Sequence, residues 1–225
     1  MDTVVVTGAT GGIGRAVTTA FLDAGDRVLA SDRDRETLEE MVATLGDRPG
    51  SISGVVADVR DEYDLERLAE TAARRGDGID VLVPCAAVHH GTPGETTLVA
   101  ESYAAFDDTL RTNVRGVFAT IREATPHLAE GSRVLVPTCP VTDSPGSGEG
   151  AYAVSKAAAE TVAAVFAAEL EAAVAVVDPG VVATALTGED GRDPADAADL
   201  FLEAANRPAD AVNGERIDHR SRRDP

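Results

Sequence analysis

Lysine is almost absent from this chain: its 225 residues include 20 basic side chains, and only Lys156 among them is a lysine. The compact, flexible ammonium of lysine cannot be replaced by a planar guanidinium. Lys156 follows Tyr152 by four positions. We therefore expect this single lysine to have a chemical role.

Cysteine and long apolar runs are also scarce. Cys85 and Cys139 have no metal-ligand spacing and fit a reducing compartment, so we expect two free thiols and no metal site. No apolar run approaches the about 18 residues of a membrane-spanning helix. Met1-Asp2-Thr3 leads directly into a strand-like valine run and has no signal-peptide pattern. These absences predict a cytoplasmic protein without a membrane partner.

Positive charge is scarce as a whole. The chain has 39 acidic and 20 basic residues, a net charge of -19 and a pI near 4.4. Nucleic-acid affinity depends on lysines and arginines that neutralise phosphates, so this balance argues against a nucleic-acid partner. Hydrophobic residues make up 44% of the chain, which excludes general disorder. An acidic surface suits molar salt, where self-repulsion is screened, and we predict a halophilic source.

Short valine-rich runs alternate with longer helical patterns. Strands separated by helices indicate a parallel sheet covered on both faces. The predicted strands are residues 3–7, 27–30, 52–57, 79–83, 133–136, 174–177 and an edge strand at 215–218. The predicted helices are residues 13–24, 34–45, 61–75, 101–128, 151–171 and 194–205, and Pro126 should kink or end the fourth. We predict an α/β fold, a single-domain doubly wound parallel sheet of about seven strands over residues 1–218, with a short basic tail at 219–225.

A glycine-rich turn follows the first predicted strand, and a helix follows the turn. Glycines let the backbone turn tightly and approach a pyrophosphate, whose charge is favoured by the free N–H groups of a helix N-terminus. Such a turn alone is a weak signal, but this one stands at the strand-to-helix position that dinucleotide binding requires. The residues that we assign to a dinucleotide here are Gly8, Thr10, Gly12, Ile13 and Gly14.

Asp32 ends the second strand, 18 residues after Gly14. A carboxylate at this place accepts from the ribose 2′-hydroxyl and repels a 2′-phosphate. Arg33 offsets part of that repulsion, while Gly11 occupies a position that a phosphate-binding cation could have taken. We predict NAD as the cofactor, with NADP less favoured.

Tyr152 and Lys156 lie in an alanine-rich stretch without proline or glycine, which predicts the helix at 151–171. Residues four apart share a helix face. A neighbouring cation favours the phenolate, and lowering a phenol pKa by about three units needs roughly 4 kcal/mol of differential interaction. The pair can therefore form a general acid/base near neutral pH. The alternative is a buried aromatic with a solvated lysine beside it, and only the rest of the chain decides between them.

Further motifs follow in order along the chain. They are Asp58-Val59, Asn113 within residues 112–114, the Tyr152 and Lys156 pair, and residues 178–184, Asp-Pro-Gly-Val-Val-Ala-Thr. With the glycine turn they resemble the short-chain dehydrogenase/reductase family over nearly the whole chain, in its branch with the patterns Thr-Gly-x-x-x-Gly-x-Gly and Tyr-x-x-x-Lys. The resemblance implies a Rossmann-type fold and hydride transfer between a nicotinamide cofactor and a secondary alcohol or carbonyl substrate.

The resemblance also implies roles for single residues. Tyr152 would exchange a proton with the substrate oxygen, while Lys156 would hold the nicotinamide ribose and lower the phenol pKa. Asn113 would anchor a water in a proton relay, through a local opening of its helix. The other implied cofactor contacts are Arg33, Asp58 at the adenine, Val59, Ala86 and, at the nicotinamide end, Pro179, Gly180, Val182 and Thr184.

The chain departs from the family pattern at the catalytic serine, because Cys139 stands there, 13 residues before Tyr152. A thiol is a weaker donor than a hydroxyl, and losing one transition-state donor can cost about 10²–10³ in rate. Thr138 or Ser144 could supply a hydroxyl, although strand alternation turns Thr138 away. Cys139 could also be a nucleophile toward aldehydes, or a small residue that fills space. We count it as a catalytic residue.

A second departure is the run Val83-Pro84-Cys85-Ala86-Ala87, where the family has Asn-Asn-Ala-Gly. The bracing asparagines are missing, Pro84 cannot donate a ladder hydrogen bond, and Ala87 adds a methyl group near the cofactor. Cys85 should lie near Cys139, because the fourth and fifth strands are neighbours in this fold. A non-catalytic dinucleotide-binding protein therefore remains an alternative to the oxidoreductase, and an isomerase or dehydratase is a third possibility.

The loops give weaker indications. His89-His90 follows the fourth strand, and we interpret both as surface loop residues, while residues 91–102 could border the pocket. Only nine residues separate Thr184 from Pro194, which predicts an open site or a wall from a partner subunit. By family resemblance the helices at 101–128 and 151–171 would pair between subunits, so we expect a homodimer or homotetramer.

Overall fold

All strands of the sheet are parallel, in the order β3-β2-β1-β4-β5-β6-β7. This computed structural model describes residues 1–142, 148–188 and 191–219. The strands are β1 (Thr3–Thr7), β2 (Arg27–Asp32), β3 (Ser51–Val56), β4 (Ile79–Pro84), β5 (Leu128–Pro137), β6 (Ala173–Asp178) and β7 (Arg216–Asp218). The helices are α1 (Gly12–Asp23), α2 (Arg35–Leu45), α3 (Glu62–Ala73), α4 (Tyr103–Leu110), α5 (Gly116–Ala124), α6 (Gly150–Glu169) and α7 (Pro194–Asn206).

The doubly wound α/β fold is confirmed, but the helix predicted at 101–128 is wrong in detail. It is divided into α4 and α5 by a π-helical turn, Arg111–Arg115. The last turn, Thr125–His127, is a 3-10 turn that contains Pro126, which ends the helix because proline has no N–H to donate. β5 then begins at Leu128, ahead of the predicted residue 133. A π turn inside a helix is typical of a functional site.

Aspartates cap the first turns of three helices, Ser102 caps α4, and α1, α5 and α6 begin without a side-chain cap. Asp34 accepts from the Thr37 N–H at the start of α2, Asp61 accepts from two N–H groups of α3, and Asp193 accepts from the Ala195 N–H of α7. Helix α1 begins at Gly11 without a side-chain cap. The free N–H groups of its first turn are therefore available to an anion.

Two apolar layers cover the sheet. Successive residues of a strand point to opposite faces, so Val4 belongs to the layer that contains α1 and α7, and Val5 belongs to the layer that contains α3, α5 and α6. Phe21 of α1 and Phe201 of α7 are fully buried in the first layer. None of the described helices combines the length and apolarity that crossing a bilayer requires.

The strand order reverses next to β1, which fixes the position of the site. The chain runs outward from β1 to β3 and then returns to β4 on the other side of β1. In open parallel sheets, ligands bind beyond the carboxyl ends of the strands at this reversal. The glycine turn after β1 and the loop after β4 therefore face the same crevice.

The capping analysis predicts the effect of Asp61→Ala. Loss of the side chain that accepts from the Tyr63 and Asp64 N–H groups should lower the free energy of unfolding by about 1 kcal/mol. The control is Asp77→Ala, which removes an exposed carboxylate from a bend and should change the free energy of unfolding by less than about 0.5 kcal/mol. Urea denaturation at one fixed salt concentration measures both, and equal losses would contradict the capping role.

Candidate active site

A cavity of about 450 Å³ lies at the carboxyl edge of the sheet. The glycine turn, the end of β2, the loops after β3, β4 and β5, the first turns of α6 and the loop after β6 all contribute to its wall. Of the residues predicted from the sequence, those in the wall are Gly8, Thr10, Gly12, Ile13, Gly14, Asp32, Arg33, Asp58, Val59, Ala86, Cys139, Tyr152, Lys156, Gly180, Val182 and Thr184. Asn113 and Pro179 lie behind it, both buried.

The glycine turn is built for close backbone approach. Gly8 has φ +62°, and a Cβ there would lie 2.6 Å from the Ala86 Cα. A Cβ on Gly14 would collide with the carbonyl oxygen of Gly8, and one on Gly12 would collide with the Thr184 side chain. The turn thus needs glycine at each of these positions. Together with the uncapped start of α1, it fits the pyrophosphate of a dinucleotide.

Asp32 holds the glycine turn from the end of β2. Its Oδ2 accepts from the Thr10 N–H at 3.2 Å and from the Thr10 hydroxyl at 2.6 Å. Its Oδ1 accepts from the Arg33 N–H at 2.8 Å. Asp32 Oδ1 also lies 3.5 Å from the Asp34 N–H. An ionised carboxylate has about four lone-pair sites, so a ribose hydroxyl would take the place of that long contact.

The cavity wall near Asp58, where the adenine is predicted to lie, also contains Arg60, which was not predicted from the sequence. Arg60 Nη2 lies 2.7 Å from Asp58 Oδ2, and Nη1 lies 2.9 Å from Asp108 Oδ1. The hydrogen bonds from Arg60 hold the pKa of Asp58 below its usual range. His90 Nε2 lies 3.0 Å from Asp108 Oδ2, and its contact lowers the pKa of that carboxyl. Asp58 is therefore an ionised, braced wall residue.

Tyr152 and Lys156 lie on the first turns of α6 and face the same cavity as the glycine turn. Tyr152 is only 6% exposed. Lys156 Nζ lies 5.7 Å from the centre of the phenol ring and donates to the Pro137 carbonyl at 3.2 Å. The common helix face predicted for the pair is thus found. The alternative of a buried aromatic beside a solvated lysine does not describe this arrangement, because the amine is bonded to the end of β5.

The effect of Lys156 on the phenol differs from the prediction. The pKa of Tyr152 is raised well above its ordinary value, first by burial and then by the neighbouring Cys139. Removing a phenolate from water therefore outweighs the attraction of the amine in this arrangement. The phenol is therefore held in its protonated form.

Cys139 lies at the hydroxyl of Tyr152, and the two side chains are hydrogen-bonded. Burial raises the pKa of the Cys139 thiol, and it raises that of Cys85 to about 11. Because the thiolate is the nucleophile, these shifts disfavour the aldehyde-attacking alternative. Both cysteines are free thiols in the wall of one cavity, as predicted.

Thr138 does not replace Cys139 as a donor to the phenol. The Thr138 hydroxyl donates to the Glu160 carboxylate, which agrees with the strand alternation that turns it away from the phenol. Ser144 lies outside the described residues. The thiol is therefore the group that this part of the chain presents to Tyr152.

Asn113 joins the loop after β4 to α6. Its Oδ1 accepts from the Val88 N–H at 2.8 Å, and its Nδ2 donates to the Val88 carbonyl and to the Ser155 hydroxyl, both at 2.9 Å. Ser155 in turn donates to the Tyr152 carbonyl at 2.8 Å. Asn113 lies in the π turn, so the local helix opening that the family resemblance implied is present.

His89 corrects an interpretation, because it is not a surface loop residue. Its imidazole stacks on the Tyr152 ring, with ring centres 4.8 Å apart and an interplanar angle of 27°. Its Nδ1 lies 3.4 Å from the Leu186 carbonyl in the loop after β6. Of the segment 91–102, Pro93 reaches the cavity wall. The sequence feature that could have indicated this position is the histidine pair in the loop after a central strand, because loops at the carboxyl edge of the sheet surround a ligand.

These features define a class: a Rossmann-type α/β protein in which a dinucleotide cradle and a tyrosine-lysine pair share one cavity. The family model of the short chain dehydrogenases matches residues 2–195. The chain belongs to this family.

Individual relatives agree with this assignment. The chain is 37% identical over 157 residues to 2-(R)-hydroxypropyl-CoM dehydrogenase of Xanthobacter autotrophicus, covering 68% of this chain and 62% of that protein. It is 30% identical to the 3-oxoacyl-[acyl-carrier-protein] reductase of Thermotoga maritima, covering 81% of this chain and 75% of the reductase. A crystal structure of a short-chain dehydrogenase/reductase from Brucella melitensis superposes with a TM-score of 0.88 at 28% identity, covering 96% of this chain and 94% of that one.

The geometry of the glycine turn predicts that Gly8→Ala lowers the free energy of unfolding more than Gly25→Ala does. Gly25 also has a positive φ, +93°, but a Cβ there has open space, whereas one at Gly8 meets Ala86. Gly8→Ala should therefore lower the free energy of unfolding by at least about 1–3 kcal/mol more than Gly25→Ala. Urea unfolding of both variants tests this, and equal losses would show that the close approach to Ala86 is not tight.

Proposed function

We propose that this protein is an NAD-dependent oxidoreductase that interconverts secondary alcohols and carbonyl compounds. The observation that carries the proposal is the presence of Tyr152, Lys156 and the glycine cradle in the wall of a single cavity. Neither part alone implies this chemistry, because tyrosine-lysine pairs and glycine turns are both common. Their convergence is what dehydrogenation requires.

The cofactor would lie along the wall from Asp58 to Thr184. The N–H groups of the glycine turn and of α1 would hold the pyrophosphate, and Asp32 would accept from the adenosine ribose. The fixed charge of Asp32 disfavours a 2′-phosphate, which supports NAD over NADP, although Arg33 also lies in the wall. Related structures bind either cofactor: a Brucella melitensis 3-ketoacyl-(acyl-carrier-protein) reductase holds NADH and a Burkholderia cenocepacia short chain dehydrogenase holds NADP. A bound nicotinamide supplies or accepts the hydride.

Tyr152 would supply the proton. In carbonyl reduction its hydroxyl protonates the substrate oxygen as the carbonyl carbon receives the hydride, so that one C–H and one O–H bond form. Lys156 would hold the nicotinamide ribose and return a proton to the phenol through a water anchored at Asn113. Cys139 would donate a weak hydrogen bond to the same substrate oxygen.

A second copy of the chain is the partner that we propose besides the substrate. Phe118 of α5 and Val154 and Val165 of α6 remain exposed on adjoining helices, and Phe118 stacks on Phe166 with ring centres 6.0 Å apart. Burial of this face in a homodimer would remove apolar surface from water.

The raised pKa of Tyr152 predicts a difference between the two reaction directions. Reduction uses the protonated phenol, so its kcat/KM should stay flat from about pH 6 to about pH 9. Oxidation uses the phenolate, so its kcat/KM should rise with pH over the same range, because the pKa lies above it. Initial rates with a ketone and NADH, and with an alcohol and NAD⁺, measure both profiles. An oxidation rate that levels off near neutral pH would show that the pKa is lowered instead.

The substitution that tests the proposed function is Tyr152→Phe, which should lower the rate of NADH oxidation with ketones by about 10²–10⁴ because it removes the proton donor. Cofactor binding should remain, since the phenyl ring still fills the site. Binding without turnover in the wild type would favour the alternative, a non-catalytic dinucleotide-binding protein. That alternative rests on Cys139 and on the Pro84-Cys85 run.

Restoring the family serine tests the thiol. Cys139→Ser should raise kcat with ketones by about tenfold or more, because a hydroxyl is the stronger donor to the developing oxyanion. Cys85→Ser is the matched control, since it makes the same change at the other thiol of the wall. A Cys139→Ser variant that is no faster than wild type would contradict the weak-donor interpretation.

A further inference from the structure

His89 has hydrogen-bonding capacity that the protein leaves unmet. Its Nδ1 has one long contact, 3.4 Å to the Leu186 carbonyl. Its Nε2 is buried and has no hydrogen-bond partner among the described residues. Buried polar atoms are nearly always bonded, so an imidazole left in this state calls for an explanation. Nε2 is shielded as the ring stands, so a molecule bound in the adjoining cavity would supply the missing partner once the ring turns about its soft terminal torsion.

The backbone beside this imidazole is held in place, whereas the ring can still turn about its terminal torsion. Both backbone polar groups of Val88, the preceding residue, are bonded to the Asn113 amide. On the other side the ring lies against the phenol of Tyr152. A substrate whose reacting oxygen meets the Tyr152 hydroxyl therefore has His89 beside the neighbouring atoms of its carbon chain.

The surrounding charges indicate which group would be recognised. Among the described wall residues, Arg60 is paired with two aspartates and Arg33 lies at the cofactor end beside Asp32. Glu149 also lines the cavity. Lys156, the other cation of the described wall, donates to the Pro137 carbonyl and is assigned to the nicotinamide ribose. A carboxylate or phosphate next to His89 would therefore find no cation left for it among these residues. A hydroxyl both donates and accepts, so it can bond either tautomer of a neutral imidazole.

We propose that His89 determines specificity by hydrogen-bonding a second hydroxyl on the carbon next to the reacting one. The preferred substrates are then α-hydroxy ketones in reduction and vicinal diols in oxidation. The terminal torsion of histidine is soft, so the ring exchanges its long contact with Leu186 for this bond. The inference rests on the proposed function, because it specifies the substrate of the same site.

The kinetic test compares 3-hydroxybutan-2-one with butan-2-one, which lacks the second hydroxyl, using NADH at high salt. His89→Phe retains a ring against Tyr152 but removes both nitrogens. It should lower the preference for the hydroxy ketone, expressed as a ratio of kcat/KM values, by about tenfold. The kcat/KM for butan-2-one in the same variant is the reference for that ratio, so a general effect of the substitution on Tyr152 cancels.

Two further variants separate recognition from general damage. His89→Gln places an amide nitrogen near the position of Nε2 and should restore part of the preference. His127→Gln removes a histidine outside the cavity wall and should leave the preference unchanged. A preference that survives in His89→Phe, while both ketones are still reduced, would overturn the inference and leave the proposed function intact.

A binding measurement decides the inference even if no carbonyl is reduced. The chain has four histidines, so ring ¹⁵N signals can be assigned to His89 by comparison with His89→Gln. In Tyr152→Phe protein with NAD⁺, butane-2,3-diol should shift the His89 ring signals and butan-2-ol should not. Absence of a diol-specific shift would overturn the role of His89, whereas absence of NADH oxidation with every ketone would overturn the proposed function.

Discussion

The side-chain amide of Asn113 is the interaction on which the geometry of the site depends. It bonds both backbone groups of Val88 and the hydroxyl of Ser155, which itself bonds the Tyr152 carbonyl. One amide thus links the loop after β4 to the helix that carries the phenol. The link needs a side chain directed from the middle of a helix into the protein, and the π turn provides that direction.

Burial has opposite consequences at the two ends of the cavity. At the cofactor end Asp32 and Asp58 are compensated by backbone N–H groups and by Arg60, so both can face a ligand as fixed charges. At the other end Tyr152 lies among a thiol, an imidazole and the Lys156 amine, which is 5.7 Å from its ring centre. Burial outweighs the attraction of that amine and raises the pKa of the phenol, so the charged cradle lies beside a phenol that keeps its proton.

The sequence predicted the parts of the protein that depend on local patterns. Alternating valine runs gave the sheet, because strand and helix periodicities are properties of the chain itself. The glycine turn, Asp32 and the Tyr152 and Lys156 pair were found because their spacing along one or two elements determines their geometry. The division of the helix predicted at 101–128 does not follow from local patterns, because the π turn depends on what Asn113 bonds far away in sequence. Only the family resemblance implied an opening there.

Arg60 and His89 were missed for a related reason. Arg60 is recognisable only when Asp108, 48 positions later, lies against it. His89 contacts Leu186 across 97 positions, and its stacking on Tyr152 requires two loops to meet. A sequence shows which residues stand in a loop, but not which neighbours the loop packs against. The raised pKa of Tyr152 belongs to the same category, because burial is a property of the assembled site.

The short connection between Thr184 and Pro194 contacts His89, and the two together form the cover of the phenol ring. A long loop after β6 can fold over a substrate and exclude water, but nine residues leave little chain for this. Here the Leu186 carbonyl reaches only as far as the imidazole, and the imidazole covers the phenol ring. A side chain after β4 thus covers the phenol ring that a longer loop could have enclosed. Because that cover carries a ring nitrogen without a hydrogen-bond partner among the described residues, it is the wall group that we propose distinguishes substrates.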